Sequence, residues 1–122
     1  MGEKRFLTRE DILRAQDLPV EEVHVPEWGG WVRVRGLTAE ERDRFEASIL
    51  EGQGKHTRVK MENIRARLVA LTVVDEVGHR LFSDEDVAAL AKKSAAAVQR
   101  VFDVAMRLSG LTEEAVEELA KN

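Results

Sequence analysis

Three histidines, a scatter of carboxylate clusters and two tryptophans are the residues of this 122-residue chain that invite a chemical reading. His24, His56 and His79 fall in a candidate strand, a glycine-flanked loop and a turn. None stands at ligand spacing from another histidine or from a carboxylate on a common face, so the pattern of a zinc or iron centre is missing. Asp75-Glu76 and Asp84-Glu85-Asp86 offer oxygens for calcium, but without the alternating ligands and closing glutamate of an EF-hand. Helix capping explains the second group more simply. Ser48, Ser83, Ser94 and Ser109 read as caps or polar helix positions rather than nucleophiles. Gly52-Gln53-Gly54-Lys55 lacks the spacing of a phosphate-binding loop. No set of polar groups converges, so the expectation is a protein without catalysis, metal or cofactor.

The tryptophans point instead to binding. Trp28 and Trp31 flank Gly29-Gly30 at the tip of a candidate hairpin, an unusual place for the two largest side chains of an aromatic-poor chain. The plainer reading packs both over the hairpin tip as core. The sharper one leaves at least one exposed as an anchor, because tryptophan is enriched where binding energy concentrates. Trp28, Trp31, Arg33 and Arg35 are therefore the candidate partner-binding residues. The hairpin edges offer a second opening, since an extended peptide can add to a strand by main-chain bonding.

Composition narrows the partner. Charged residues make up 34% of the chain and aromatics 5%, so the core must be aliphatic. A net charge of −4 argues against nucleic acid, whose binders need a cationic excess on one face. The basic residues between Lys55 and Arg67 read as a solvated face and loop. Without cysteine there is no disulfide or thiolate site, which suits a reducing cytoplasm. The longest apolar run, 68–74, is too short to span a bilayer, and the first residues do not resemble a signal peptide. The expectation is one soluble, intracellular domain over residues 1–122.

The elements that would position these residues follow from periodicity. Thr8 caps a short helix to about Gln16, which Pro19 ends. Val23, Val25, Val32 and Val34 alternate with Glu22, His24, Arg33 and Arg35, predicting an antiparallel hairpin over about 20–36 with a valine face and a charged face. A lone hairpin is marginal in water, so its valines must lie on helices or another subunit. Thr38 and Glu41 form a capping box, and the helix they start turns Phe45 and Ile49 inward until Gly52-Gln53-Gly54. Residues 52–58 read as the most flexible loop. From about Lys60, the stripe Met61, Ile64, Leu68 and Leu71 marks the most buried helix, weakened at Thr72-Val73-Val74 by β-branching. A turn over 75–80 precedes the apolar anchor Leu81-Phe82. Ser83 caps a short helix ending near Lys92-Lys93, and Ser94 opens a longer one with Ala97 or Val98, Val101, Phe102, Ala105 and Leu108 inward and Gly110 as its left-handed stop. Leu111-Thr112-Glu113-Glu114 begins a last acidic helix. The fold class is α+β, mainly α: five to six helices, in a helical body over about 38–121, with one antiparallel hairpin near the N-terminus.

The order and spacing of these segments resemble a known family. The Val25-Pro26-Glu27-Trp28-Gly29-Gly30 hairpin, the exit Arg33-Val34-Arg35-Gly36-Leu37-Thr38, the helix Arg65-Ala66-Arg67-Leu68-Val69-Ala70-Leu71, the turn 75–82 and the tail Leu111-Thr112-Glu113-Glu114-Ala115 are together similar to the tail assembly chaperones of long-tailed, siphovirus-type bacteriophages, especially the XkdN-like group of phages and prophages of Gram-positive bacteria. The resemblance runs from about Leu7 to Lys121 and rests on no single motif. It implies a non-catalytic helper in the cytoplasm of the bacterial host, absent from the mature virion. Such a helper binds and solubilises the tape measure protein, and with it tail tube subunits, during assembly. Self-association is a further expectation, and the resemblance also implies a longer product made by programmed frameshifting, for which Lys121-Asn122 is compatible with an AAA-AAC slippery stretch. Two rivals differ in class. A structural tail or head–tail connector component would need broader sheets or dedicated oligomer edges. A small nucleic-acid-binding regulator would have to use the 60–74 helix as a reader, although its Ala, Leu and Val face suits a core better.

Overall fold

The computed structural model describes residues 3–51, 58–59 and 62–112. In chain order these form α1 (Arg9–Arg14), β1 (Val20–Val25), β2 (Gly30–Arg35), α2 (Ala39–Ile49), β3 (Leu50–Glu51), β4 (Arg58–Val59), α3 (Ile64–Thr72), β5 (Val73–Val74), α4 (Val87–Leu90) and α5 (Ala95–Leu108). The class is α+β and mainly α, as the sequence predicts, but the sheet is larger than one hairpin. β1, β2 and β5 form a three-stranded antiparallel sheet with β2 in the centre.

β5 is the strand the periodicity hides. Val73 and Val74 continue the apolar run of α3, so in sequence they look like a helix end. Thr72, wholly buried, donates its hydroxyl hydrogen to the Leu68 carbonyl at 2.8 Å, and the chain straightens immediately after it. β-branched residues favour that extended form. Val73 then lies opposite Val34 and Val74 opposite Arg33. A second departure follows α2, which ends at Ile49 because Leu50–Glu51 pairs with Arg58–Val59. The expected loop over 52–58 lies mostly outside the described residues, as do Lys60 and Met61 of the predicted buried helix and residues 113–122 of the predicted last helix.

The caps form at the residues that predict them. Thr8 with Asp11 and Thr38 with Glu41 form reciprocal capping boxes, the Asp86 carboxylate accepts from the Ser83 amide at 2.8 Å, and the Ser94 hydroxyl accepts from the Ala97 amide at 3.2 Å. α1 stops at Arg14, since Ala15 is already extended on the way to Pro19. α4 is a single turn entered through a tight turn over Asp84–Asp86 and ends at Leu90, short of the predicted lysines. Gly110, at φ 69°, supplies the left-handed stop of α5.

The core lies between the valine face of the sheet, α5 and α3. Val23, Val25 and Val34 are buried against the α5 side chains Val101, Phe102 and Ala105. α3 contributes Ile64, Ala66, Leu68, Val69, Ala70 and Leu71, buried on nearly every side, and α2 adds Phe45 and Ile49. Phe82 packs against this core, whereas Leu81 faces solvent. Met106, absent from the predicted stripe, is buried; Leu108 only partly so.

Two contacts tie the hairpin exit to the helical body. Gly36 is buried so close to the end of α5 that a Cβ there would meet the Leu108 carbonyl oxygen at 2.6 Å, and the next amide, of Leu37, donates to the Ser109 hydroxyl at 3.1 Å. Arg35 donates to both oxygens of Glu41, at 2.7 and 2.8 Å, with both side chains largely shielded. The Arg35 guanidinium, helped by the Thr38 amide, holds the Glu41 carboxyl at about 2 against an ordinary 4.5. Gly36→Ala should therefore destabilise the fold by about 1–3 kcal/mol in urea unfolding, because the obstacle is backbone rather than a movable side chain. The depressed Glu41 group stabilises fully above its unfolded value near 4.5, and that contribution disappears as the pH falls toward 2. Urea midpoints measured across this window should fall more steeply for the wild type than for Glu41→Gln.

Candidate partner-binding site

The strand register divides the hairpin into two faces. Val23 opposes Val32, Val25 opposes Gly30 and Glu21 opposes Val34 on the side that α5 covers. On the other side Val20 opposes Arg35, Glu22 opposes Arg33 and His24 opposes Trp31. That second face bears the candidate binding residues Trp31, Arg33 and Arg35.

The two tryptophans have different fates. Trp28 closes a tight turn over Pro26–Trp28 and packs, half-buried, against the core. The turn is held by Glu27, whose carboxylate takes two hydrogen bonds from Arg100 of α5, at 2.5 and 3.0 Å. The same guanidinium lowers the Glu27 pKa below the usual range. Gly29 follows at φ 76°, a left-handed position that reverses the chain into β2. Trp31 leaves the sheet on the face turned away from α5 and is 69% exposed. Its ring lies 4.9 Å from that of His24, tilted by 31°.

The two arginines also separate. Arg35 is consumed by Glu41 and by the Gly36 carbonyl at 3.0 Å, so it acts within the fold. Arg33 spans the open face, donating to Glu22 on β1 and to the Glu76 carbonyl beyond β5, each at 3.4 Å. The site is thus an aromatic pair, Trp31 with His24, beside a cation with polar partners on β1 and in the turn after β5. His24 was legible as a neighbour of Trp31 only once the hairpin register was known. Val77, 79% exposed, lies in the turn that β5 feeds. Asp75 shapes that turn by accepting from the Val77 and His79 amides at 2.9 and 3.0 Å. The backbone N–H of His79 is the main reason its carboxyl sits below the usual range.

A second apolar set lies at the N-terminal end. Phe6, Leu7, Ile12 and Leu13 are all more than half exposed, and α1 buries none of its residues. Elsewhere the described surface offers little chemistry. Among the described residues no three His, Asp or Glu side chains are placed to hold a metal ion, and no helix is long and apolar enough to cross a membrane. An open groove of about 370 Å³ runs between α2, α3 and α4, past Phe45, Arg67 and Val87.

The fold is a small α+β domain with a buried valine face and an exposed indole on the opposite one. Residues 13–122 match the family model of phage tail assembly chaperones, nearly the whole chain, and the protein belongs to that family. Its partners are accordingly phage tail proteins. No curated protein and no solved structure matches it.

The different surroundings of the indoles are measurable. With Trp28→Phe, the remaining Trp31 should emit at long wavelength and be fully quenched by acrylamide, whereas with Trp31→Phe the remaining Trp28 should be blue-shifted and partly protected. Trp31→Ala should change stability by less than about 0.5 kcal/mol and Trp28→Ala should cost more than about 1 kcal/mol.

Proposed function

We propose that this tail assembly chaperone binds the tape measure protein and keeps it soluble until the tail tube encloses it, without catalysing any reaction. The observation that carries this reading is the exposed Trp31, set against His24 on the sheet face turned away from α5. A tape measure protein is long and helical with apolar seams, which must be shielded before assembly. Many copies of a small acidic domain, each offering one apolar anchor, provide weak multivalent cover while their net charge keeps the complex dispersed. Tail tube subunits are the second expected client. Of the four candidate residues, Trp31 and Arg33 stand on the open face and are assigned to binding. Trp28 and Arg35 are assigned to holding that face in place.

This work belongs in the host cytoplasm, and the chaperone should leave before the particle is finished. The reading as a structural tail or head–tail connector component differs on that point alone, because such a component stays in the virion. The reading as a nucleic-acid regulator loses its reader element, since every residue of the 64–72 helix except Arg65 and Arg67 is buried.

Co-expression with the neighbouring tail genes and affinity capture tests the proposal. Wild-type protein should retain the tape measure protein in the soluble fraction, and Trp31→Ala should reduce that capture about tenfold, the size of effect expected for a central aromatic anchor. Mass spectrometry of purified virions should detect none of the chaperone. Undiminished capture by Trp31→Ala would move the interface elsewhere.

A further inference from the structure

The open edge of β1 has a defined chemistry. Pro19 lies opposite Gly36 in continuation of the β1–β2 register, and the Gly36 amide donates to the Pro19 carbonyl at 2.9 Å. In an antiparallel ladder hydrogen-bonded pairs recur at every second residue. Residues 21, 23 and 25 therefore turn their main-chain groups toward β2, and Val20, Glu22 and His24 turn theirs outward. Among the described residues no strand pairs with that side of β1. The opposite edge of the sheet is occupied, because the Leu81 amide donates to the Val73 carbonyl at 3.0 Å and Val74 is bridged to Arg80. Pro19 and Pro26 bracket β1 and confine any added ladder to the residues between them.

We propose that this edge takes a second copy of the same chain, β1 against β1, about a two-fold axis through Val23. In that register each Glu22 lies opposite the partner copy's His24, so two carboxylate–imidazole pairs flank the axis and four main-chain hydrogen bonds join the copies. Both side chains are exposed and on the same face, so neither has to leave the core. The adjacent symmetric register sets the two Glu22 carboxylates directly opposite each other and is disfavoured by like charge. The product is a continuous six-stranded sheet, and because the axis stands perpendicular to it, both Trp31 side chains emerge on one face, about 16 Å apart from the strand spacings alone. The dimer is independent of the client assignment. The use of its paired indoles as a bivalent grip rests on the proposed function.

Sedimentation of the full chain over a wide concentration range, with amide hydrogen exchange at both extremes, tests the dimer. The expected result is a concentration-dependent dimer in which the Glu22 and His24 amides are protected when concentrated and exchange freely when dilute. His24→Glu, which opposes carboxylate to carboxylate, should weaken dimerisation about tenfold, and Glu22→Lys with His24→Glu should restore it. The exchange data report on the wild-type edge whatever the variants do. A monomer at every concentration, a dimer indifferent to His24→Glu, or edge amides protected only when a tail polypeptide is added would each overturn the proposal. The last outcome would give the edge to the client instead, and a dimer that captures no tape measure protein would remove the proposed function while leaving the dimer.

Discussion

A three-stranded sheet with aliphatic residues on one side must be covered there and wetted on the other. In this protein α5 provides the cover, and Val23, Val25 and Val34 meet Val101, Phe102 and Ala105 across the interface. On β1 and β2 the residues of opposite parity include Glu22, His24 and Trp31, which are left exposed. The exposure of Trp31 is thus a consequence of packing on the far face rather than of a loop happening to project. The same parity gathers Glu22, His24 and Arg33 around it.

That arrangement needs the sheet to stay fixed on its helices, and several unlike contacts hold it. α3 runs into β5 without a linker, so the most buried helix and the third strand are one continuous segment hydrogen-bonded to β2. Gly36 lets the hairpin exit touch the end of α5, and the Arg35–Glu41 fork links the same exit to the start of α2. At the tip, Arg100 holds the Trp28 turn through Glu27, and Arg107 reaches Glu21 at 2.7 Å on the sheet margin. The last two pairs are exposed and each is worth little alone. Their value is positional, since they attach both ends of the hairpin to one helix.

For a tail assembly chaperone the division of labour is economical. Among the described residues α3 spends nearly all its aliphatic side chains on the core, while Val20 and Trp31 on the sheet and Phe6, Leu7, Ile12 and Leu13 around α1 stay exposed. A surface holding one indole binds weakly by itself. On the proposed function, weak contacts in many copies suit a helper that later releases its client to the growing tube.

Sequence alone determined the elements that depend on near neighbours. Caps at Thr8, Thr38, Ser83 and Ser94, the glycine stop at 110 and the valine alternation all act within a few residues, so they are legible in order along the chain. The alternation even carried the orientation of Trp31, which shares the parity of Arg33 and Arg35. Trp28 stands off the strand, where parity is silent, and only its packing against the core decided that it is half-buried. Tertiary structure alone decided that Arg35 is spent on Glu41 while Arg33 stays on the open face, since both read as outward charges on one strand. It alone turned Val73-Val74 from a helix end into a strand, because two β-branched residues after a buried helix accept either form and pairing with β2 settles which one forms.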